Sequence, residues 1–121
     1  MKKFFAKNKK ILKNIFVWFF GWRLGLVLVA WLGTQVVSLR TGFLGGGETN
    51  YLKFPLLWGW ANFDGVQYLA IARRGYVQFQ QAFFPLYPFL IRWLARWPES
   101  FLGAGLAISH LSFLIALFLF Y

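Results

Sequence analysis

Few side chains in this sequence of 121 residues could move a proton or bind a metal. The acids are Glu48, Asp64 and Glu99, the single histidine is His110, and there is no cysteine. Without thiols the chain can form neither a disulfide nor a thiolate zinc site. So few carboxylates and imidazoles argue against a metal site built by this chain alone. A general acid or base must therefore be one of these four residues.

The cations are far more numerous than the acids, and they are concentrated at one end. Thirteen Lys and Arg against three Asp and Glu give a net charge of +10. Six lysines fall within the first 13 residues, directly before an apolar stretch. A basic run in this position is typical of a segment that binds anionic lipid headgroups. We therefore expect membrane lipids, and not nucleic acid, as its partner.

The composition is that of an integral membrane protein. Hydrophobic residues make up 60% of the chain, aromatic residues 23% and charged residues 13%. Soluble domains have about 45–50% apolar and about 25% charged residues. Disorder is excluded as well, because disordered segments have low hydrophobicity.

Two segments are long and apolar enough to cross the ~30 Å hydrocarbon layer, residues 15–39 and residues 101–121. Arg23 interrupts the first, and its side chain is expected to snorkel towards the cytoplasmic headgroups. The lysine-rich residues 1–14 predict a cytoplasmic N-terminus. Because Tyr121 lies within apolar sequence, we expect the chain to be the N-terminal fragment of a larger polytopic protein.

Residues 40–100 are predicted to form a long segment outside the cytoplasm. Its first part, residues 40–63, has a glycine cluster and is predicted to be a loop with a flexible connection. Two short interfacial helices should follow, at about 64–75 and 86–97. The predicted fold class is therefore all-α integral membrane, with two transmembrane helices joined by this external segment.

The first short helix has recognisable ends. Asp64 and Gln67 have the spacing of a capping box, and Gly75 can end the helix in a left-handed conformation. In the second, Arg92 and Arg96 should share a face, as should Trp93 and Trp97.

The second span has a stripe of small residues that predicts close contact with another helix. The stripe consists of Gly105, Ser109, Ser112 and Ala116. His110 lies off this stripe and is predicted to make an interhelical hydrogen bond.

The most informative stretch is WGWANFDGVQYLAIARRGY at residues 58–76, followed by AFFPLYP at residues 82–88. Together these motifs resemble the PIG-V-like mannosyltransferases, the family that includes the second mannosyltransferase of glycosylphosphatidylinositol synthesis and many bacterial relatives. The family belongs to the GT-C class of polytopic glycosyltransferases. The sequence departs from its pattern at Phe63, where tryptophan is commoner.

The resemblance implies transfer of a hexose, expected to be mannose, from a polyprenyl-phosphate donor to a lipid or glycan acceptor. Because the sequence shows no retention signal, we expect the membrane to be a bacterial cytoplasmic membrane. Asp64 would be the general base, which in enzymes contributes about 10²–10⁴-fold. Arginines suit the departing phosphate because their guanidinium groups bind it in bidentate geometry. No metal or other cofactor is required. The substrate-binding candidates are Arg73, Arg74, Arg92 and Arg96, with Tyr68 as a stacking residue.

Plainer alternatives remain open for the same residues. Asp64 could serve only as a helix cap, and the arginines could bind lipid headgroups or complement helix dipoles. The whole chain could also be a non-enzymatic two-span protein, holin-like or regulatory, or the product of a degraded gene.

Overall fold

The computed structural model describes residues 2–39, 47–96 and 100–120, with side chains from residue 9 onwards. These residues form helices and short connections, and no strand occurs among them. The α-helices are α1 (Lys2–Val36), α2 (Glu48–Lys53), α3 (Pro55–Trp58), α4 (Asp64–Arg74), α5 (Leu86–Leu94) and α6 (Ser100–Phe120). Single 3-10 turns occur at Gly59–Ala61 and Gln80–Ala82.

Two of these helices are long and apolar enough to cross a membrane. They are Lys9–Val36 within α1, with 28 residues, and Ser100–Phe120, with 21 residues. Only 11% of the most apolar window of the first and 17% of that of the second are buried. The core helix of a soluble protein would be mostly buried, whereas these apolar surfaces face outwards, as a lipid environment requires.

Helix α1 continues without a break to Lys2, so the basic N-terminal segment and the first span form one helix. It runs antiparallel to α6, because Phe16 contacts Phe118 and Phe19 contacts Phe113. The ring centroids of these pairs are 6.1 and 5.9 Å apart. Aromatic packing therefore joins the two long helices.

The Arg23 side chain, which is expected to snorkel towards the headgroups, contacts aromatic rings of both long helices. Its guanidinium carbon lies 4.7 Å from the ring centroid of Phe113 and 5.7 Å from that of Phe19. Phe113 belongs to the middle of α6. The negative faces of aromatic rings attract a cation, and here they hold it between the helices.

The segment before α4 is more ordered than the predicted loop. Within residues 47–63 the chain forms α2, α3 and a 3-10 turn, and α3 packs against α1. Gly47 precedes α2 with φ 83°, a value that glycine adopts readily. The other glycines of the predicted flexible connection lie outside the described residues.

The core of the molecule lies where α4, α5 and α6 meet. Ile91 of α5 is completely buried, with 0% exposure. Around it are buried side chains of the preceding turn, α4 and α6, namely Ala61, Leu69, Ala72, Leu102 and Ala104. This packed unit fixes both ends of α4.

The first short helix ends at the predicted Gly75, whereas the second ends earlier than predicted. Helix α4 ends at Arg74, and Gly75 follows with φ 85° while its N–H bonds to the carbonyl oxygen of Ile71. Helix α5 ends at Leu94, so Arg96 lies beyond it and does not share a helical face with Arg92. The predicted pairing of Trp93 with Trp97 extends outside the described residues.

Candidate functional site

Asp64 is the first residue of α4, and its side chain is exposed. The preceding residue, Phe63, has φ 53° and ψ −114°, which is unusual for a residue with a side chain. Such a conformation costs on the order of 1–3 kcal/mol and persists only where the surroundings impose it. Backbone strain of this kind is concentrated at functional sites. The strained turn therefore makes Asp64 a candidate functional residue.

The predicted capping box does not form. Phe63 holds the N-cap position and provides no side-chain cap, while Asp64 stands one position inside the helix. Gln67 is engaged elsewhere, because its Oε1 accepts a hydrogen bond of 2.8 Å from Nε2 of Gln80. Among the described residues no hydrogen bond or ion pair occupies the Asp64 carboxylate. The carboxylate is free to accept a proton from a ligand.

Gln80, which the sequence did not single out, fixes the loop after α4. It is buried, with 5% exposure. Its Oε1 accepts from the backbone N–H of Val77 at 3.1 Å, while its Nε2 donates to Gln67. Tyr76 closes the same loop by donating to the carbonyl oxygen of Phe83 at 2.7 Å. The only signal in the sequence is a group of three glutamines, Gln78, Gln80 and Gln81, between the two motifs.

Tyr68 lies one turn after Asp64 on the same face of α4. Its ring makes edge contacts with Phe83 and Tyr87, with centroids 5.1 Å apart in both pairs. Beside Tyr68, a cavity of about 30 Å³ reaches to Trp60 and Tyr87. A cavity of this size holds about one water molecule. An aromatic wall therefore stands next to the Asp64 end of α4.

The predicted phosphate-binding arginines are at the opposite end of α4. Arg73 is nine residues after Asp64, which corresponds to about 14 Å along the helix axis. Its guanidinium carbon lies 5.4 Å from the ring centroid of Phe101. Arg92 donates from Nη2 to the backbone carbonyl oxygen of Arg73 at 3.3 Å. Arg74 is exposed beside them. The structure groups Arg73 with Arg92 and separates both from Asp64.

A groove of about 220 Å³ opens between α4 and α5 at this arginine end. Its walls include Ile71, Tyr76, Pro85 and Phe89, and Arg92 supplies a cation. The groove is therefore mostly apolar, with one cationic side chain in its wall.

The stripe of small residues on α6 contacts α5 at its first two positions. The Tyr87 hydroxyl lies 3.0 Å from the carbonyl oxygen of Gly105 and 3.0 Å from Oγ of Ser109. Ser112, further along, is exposed. The His110 hydrogen bond is not the predicted interhelical one, because Nδ1 lies 2.7 Å from the carbonyl oxygen of Leu106 in the same helix.

Among the described residues, no three His, Cys, Asp or Glu side chains lie together in a way that could hold a metal ion. Comparisons with protein-family models, with curated proteins and with solved structures find no match to this chain.

Proposed function

We propose that this chain is the N-terminal part of a multi-pass membrane hexosyltransferase. It would transfer a hexose, expected to be mannose, from a polyprenyl-phosphate donor to a lipid or glycan acceptor. The observation that carries the proposal is the exposed carboxylate of Asp64 on a strained turn, within the motif that resembles the PIG-V-like family. A strained backbone that presents an unpaired acid suits a residue selected for chemistry rather than for stability.

The proposed role of Asp64 is that of general base. The acceptor hydroxyl attacks the anomeric carbon, the bond from that carbon to the phosphate oxygen breaks, and the hydroxyl proton passes to the carboxylate. The Asp64 carboxylate has no competing partner among the described residues. Tyr68 and its neighbouring rings would form the wall against which the sugar stacks.

The arginines would have different roles from one another. The base and the departing phosphate act on the same sugar carbon, so they must lie within a few ångströms of each other. About 14 Å along α4 separates Asp64 from Arg73, and Arg92 is bonded to the Arg73 carbonyl. We therefore assign Arg73 and Arg92 to positioning α5 and α6, and Arg74 and Arg96 to the phosphates of lipid headgroups at the interface.

The proposed location is the bacterial cytoplasmic membrane, with the lysine-rich N-terminus in the cytoplasm. Six lysines in the first 13 residues support this orientation. Asp64 would then face the opposite side, where lipid-linked sugars are used in extracytoplasmic glycosylation.

The test is the substitution Asp64→Asn in the whole protein as its gene encodes it. Membrane vesicles receive a radiolabelled polyprenyl-phosphate mannose, and transfer to lipid or glycan is measured. Loss of the base should reduce the rate about 100-fold or more at unchanged protein level. Glu48→Gln is the matched control, because Glu48 is also an acid at the first position of a helix.

Transfer by the Asp64→Asn variant within a few-fold of the parent rate would remove Asp64 from the role of base. Absence of transfer by the parent protein with every polyprenyl-phosphate hexose would favour the alternative, a non-enzymatic two-span protein.

A further inference from the structure

Two glutamine side chains link α4 to the loop that follows it. Gln80 is buried, with 5% exposure, and its amide lies between the backbone N–H of Val77 and the side chain of Gln67. Gln67 is half-buried on α4, three residues after Asp64. These contacts determine which atom each amide group presents to its surroundings.

The orientation of both amide groups follows from the contact with Val77. A backbone N–H can only donate, so the Gln80 atom that lies 3.1 Å from it must be the carbonyl oxygen, Oε1. The amide nitrogen of Gln80 then lies on the other side of the group, where it donates to Gln67 over 2.8 Å. Gln67 must therefore present its own oxygen to Gln80, and its Nε2 points elsewhere.

The N–H groups of Gln67 are available to a ligand. Among the described residues, the bond from Gln80 is the one hydrogen bond of this side chain. An amide nitrogen can donate two hydrogen bonds. Because Gln67 is only half-buried, a ligand can reach it. The buried Gln80 thus fixes Gln67 as a hydrogen-bond donor.

This donor stands next to the carboxylate of Asp64. Residues three apart in a helix are neighbours on its surface, with Cβ atoms about 5–6 Å apart. A carboxylate accepts hydrogen bonds, whereas the Gln67 nitrogen donates them. Two hydroxyl groups on neighbouring carbons of a sugar match such a pair, because each hydroxyl can donate or accept.

We propose that Asp64 and Gln67 together bind two neighbouring hydroxyl groups of a sugar, and we call the two side chains the diol site. One hydroxyl donates to the Asp64 carboxylate, and the oxygen of the next accepts from Nε2 of Gln67. The inference rests on the proposed function, in which Asp64 holds the attacking hydroxyl of the acceptor. It narrows the acceptor to a molecule that carries a sugar with two neighbouring hydroxyls and excludes a simple lipid alcohol.

Binding of a sugar probe to the whole protein in lipid nanodiscs tests the diol site. The probe is methyl α-mannopyranoside, which contains a cis and a trans pair of neighbouring hydroxyls. Its 3-deoxy analogue has neither pair and serves as the comparison. Affinities are measured by saturation-transfer NMR titration. The parent protein should bind the mannoside about five- to tenfold more tightly than the analogue, which is the effect of about one hydrogen bond between neutral groups.

The substitution Gln67→Glu separates ligand binding from a structural role of Gln67. An ionised glutamate still accepts the hydrogen bond from Gln80, so the loop keeps its link to α4, but it has no N–H to donate. The preference for the mannoside should therefore disappear, whereas a purely structural role predicts that it stays. Gln67→Met removes the donor without adding a charge and should have the same effect on the preference. Gln81→Glu is the matched control, because Gln81 is an exposed glutamine of the same loop.

Equal affinity of the parent protein for the two glycosides would overturn the proposal, as would a parent-like preference in Gln67→Glu. The same variants are assayed for transfer in membrane vesicles, which distinguishes this proposal from the proposed function. A preference that depends on Gln67, in a protein that transfers no hexose, supports the diol site and contradicts the transferase. Transfer at the parent rate by both Gln67 variants contradicts the diol site alone. A rise confined to the KM for the polyprenyl-phosphate donor would also overturn the diol site and assign Gln67 to the departing phosphate.

Discussion

The Tyr87 hydroxyl joins α5 to α6 and provides the sharpest test of how the core is built. A phenol has one proton to donate, and the Gly105 carbonyl can only accept. If Tyr87 donates to Gly105, the 3.0 Å contact with Ser109 requires the serine hydroxyl to donate to the phenol oxygen. One tyrosine atom therefore takes part in two hydrogen bonds between helices. We predict that Tyr87→Phe destabilises the fold.

The size of the destabilisation follows from the hydrogen bonds that Tyr87, Gly105 and Ser109 lose. Two hydrogen bonds at about 0.5–1.5 kcal/mol each give about 1–3 kcal/mol. The upper part of this range does not apply, because the Gly105 carbonyl keeps its bond within α6 and Ser109 can bond to a carbonyl one turn earlier. Hydrogen bonds between membrane helices average about 0.6 kcal/mol. We expect Tyr87→Phe to lower the free energy of unfolding by about 1–2 kcal/mol.

The assay is reversible unfolding in mixed micelles, followed by tryptophan fluorescence. Ser109→Ala should cost about half as much as Tyr87→Phe, and the double variant should cost less than the sum, because both changes remove the same bond. Ser112→Ala is the control, since Ser112 lies one turn further along α6 and is exposed. Additive effects of Tyr87→Phe and Ser109→Ala, or a Tyr87→Phe variant as stable as the parent, would refute this account of the α5–α6 contact.

Three glycine substitutions test the packing of α6 and the backbone after α4. Gly105→Ala should destabilise the protein by about 1 kcal/mol, because the new methyl group would lie 3.2 Å from the Tyr87 hydroxyl and 3.3 Å from Cδ1 of Ile91. Gly103 has open space around it, so Gly103→Ala should leave the free energy of unfolding unchanged or raise it by up to about 1 kcal/mol in the same assay. Gly75→Ala should cost about 1–2 kcal/mol, because φ is 85° there, and faster proteolysis after Arg74 would report the loosened loop.

Features set by local pattern were predictable from the sequence. The two long helices follow from apolar length, and α4 follows from its periodic apolar residues and from Gly75, whose positive φ ends the helix. The contact of Gly105 and Ser109 with a second helix follows from the spacing of small residues. In each case the signal lies within a few turns of the residues concerned.

Features set by distant contacts were not predictable in the same way. Gln67 has the spacing of a capping residue, but the buried Gln80, 13 residues away in the chain, donates a hydrogen bond of 2.8 Å to it. Arg23 contacts the ring of Phe113, 90 residues away in the chain. Neither partner can be identified before the fold brings the residues together.

The packed core holds the strained backbone of Phe63 in place beside the candidate site. A backbone conformation that costs about 1–3 kcal/mol would relax unless the residues on both sides of the turn were held in place. On one side Ala61 is buried in the core, and on the other an added methyl on Gly65 would approach the Ala61 side chain to 3.3 Å. Leu69 and Ala72 then fix α4 against Ile91. With the residues on both sides held, the backbone position of Asp64 is imposed by the packing of α4, α5 and α6.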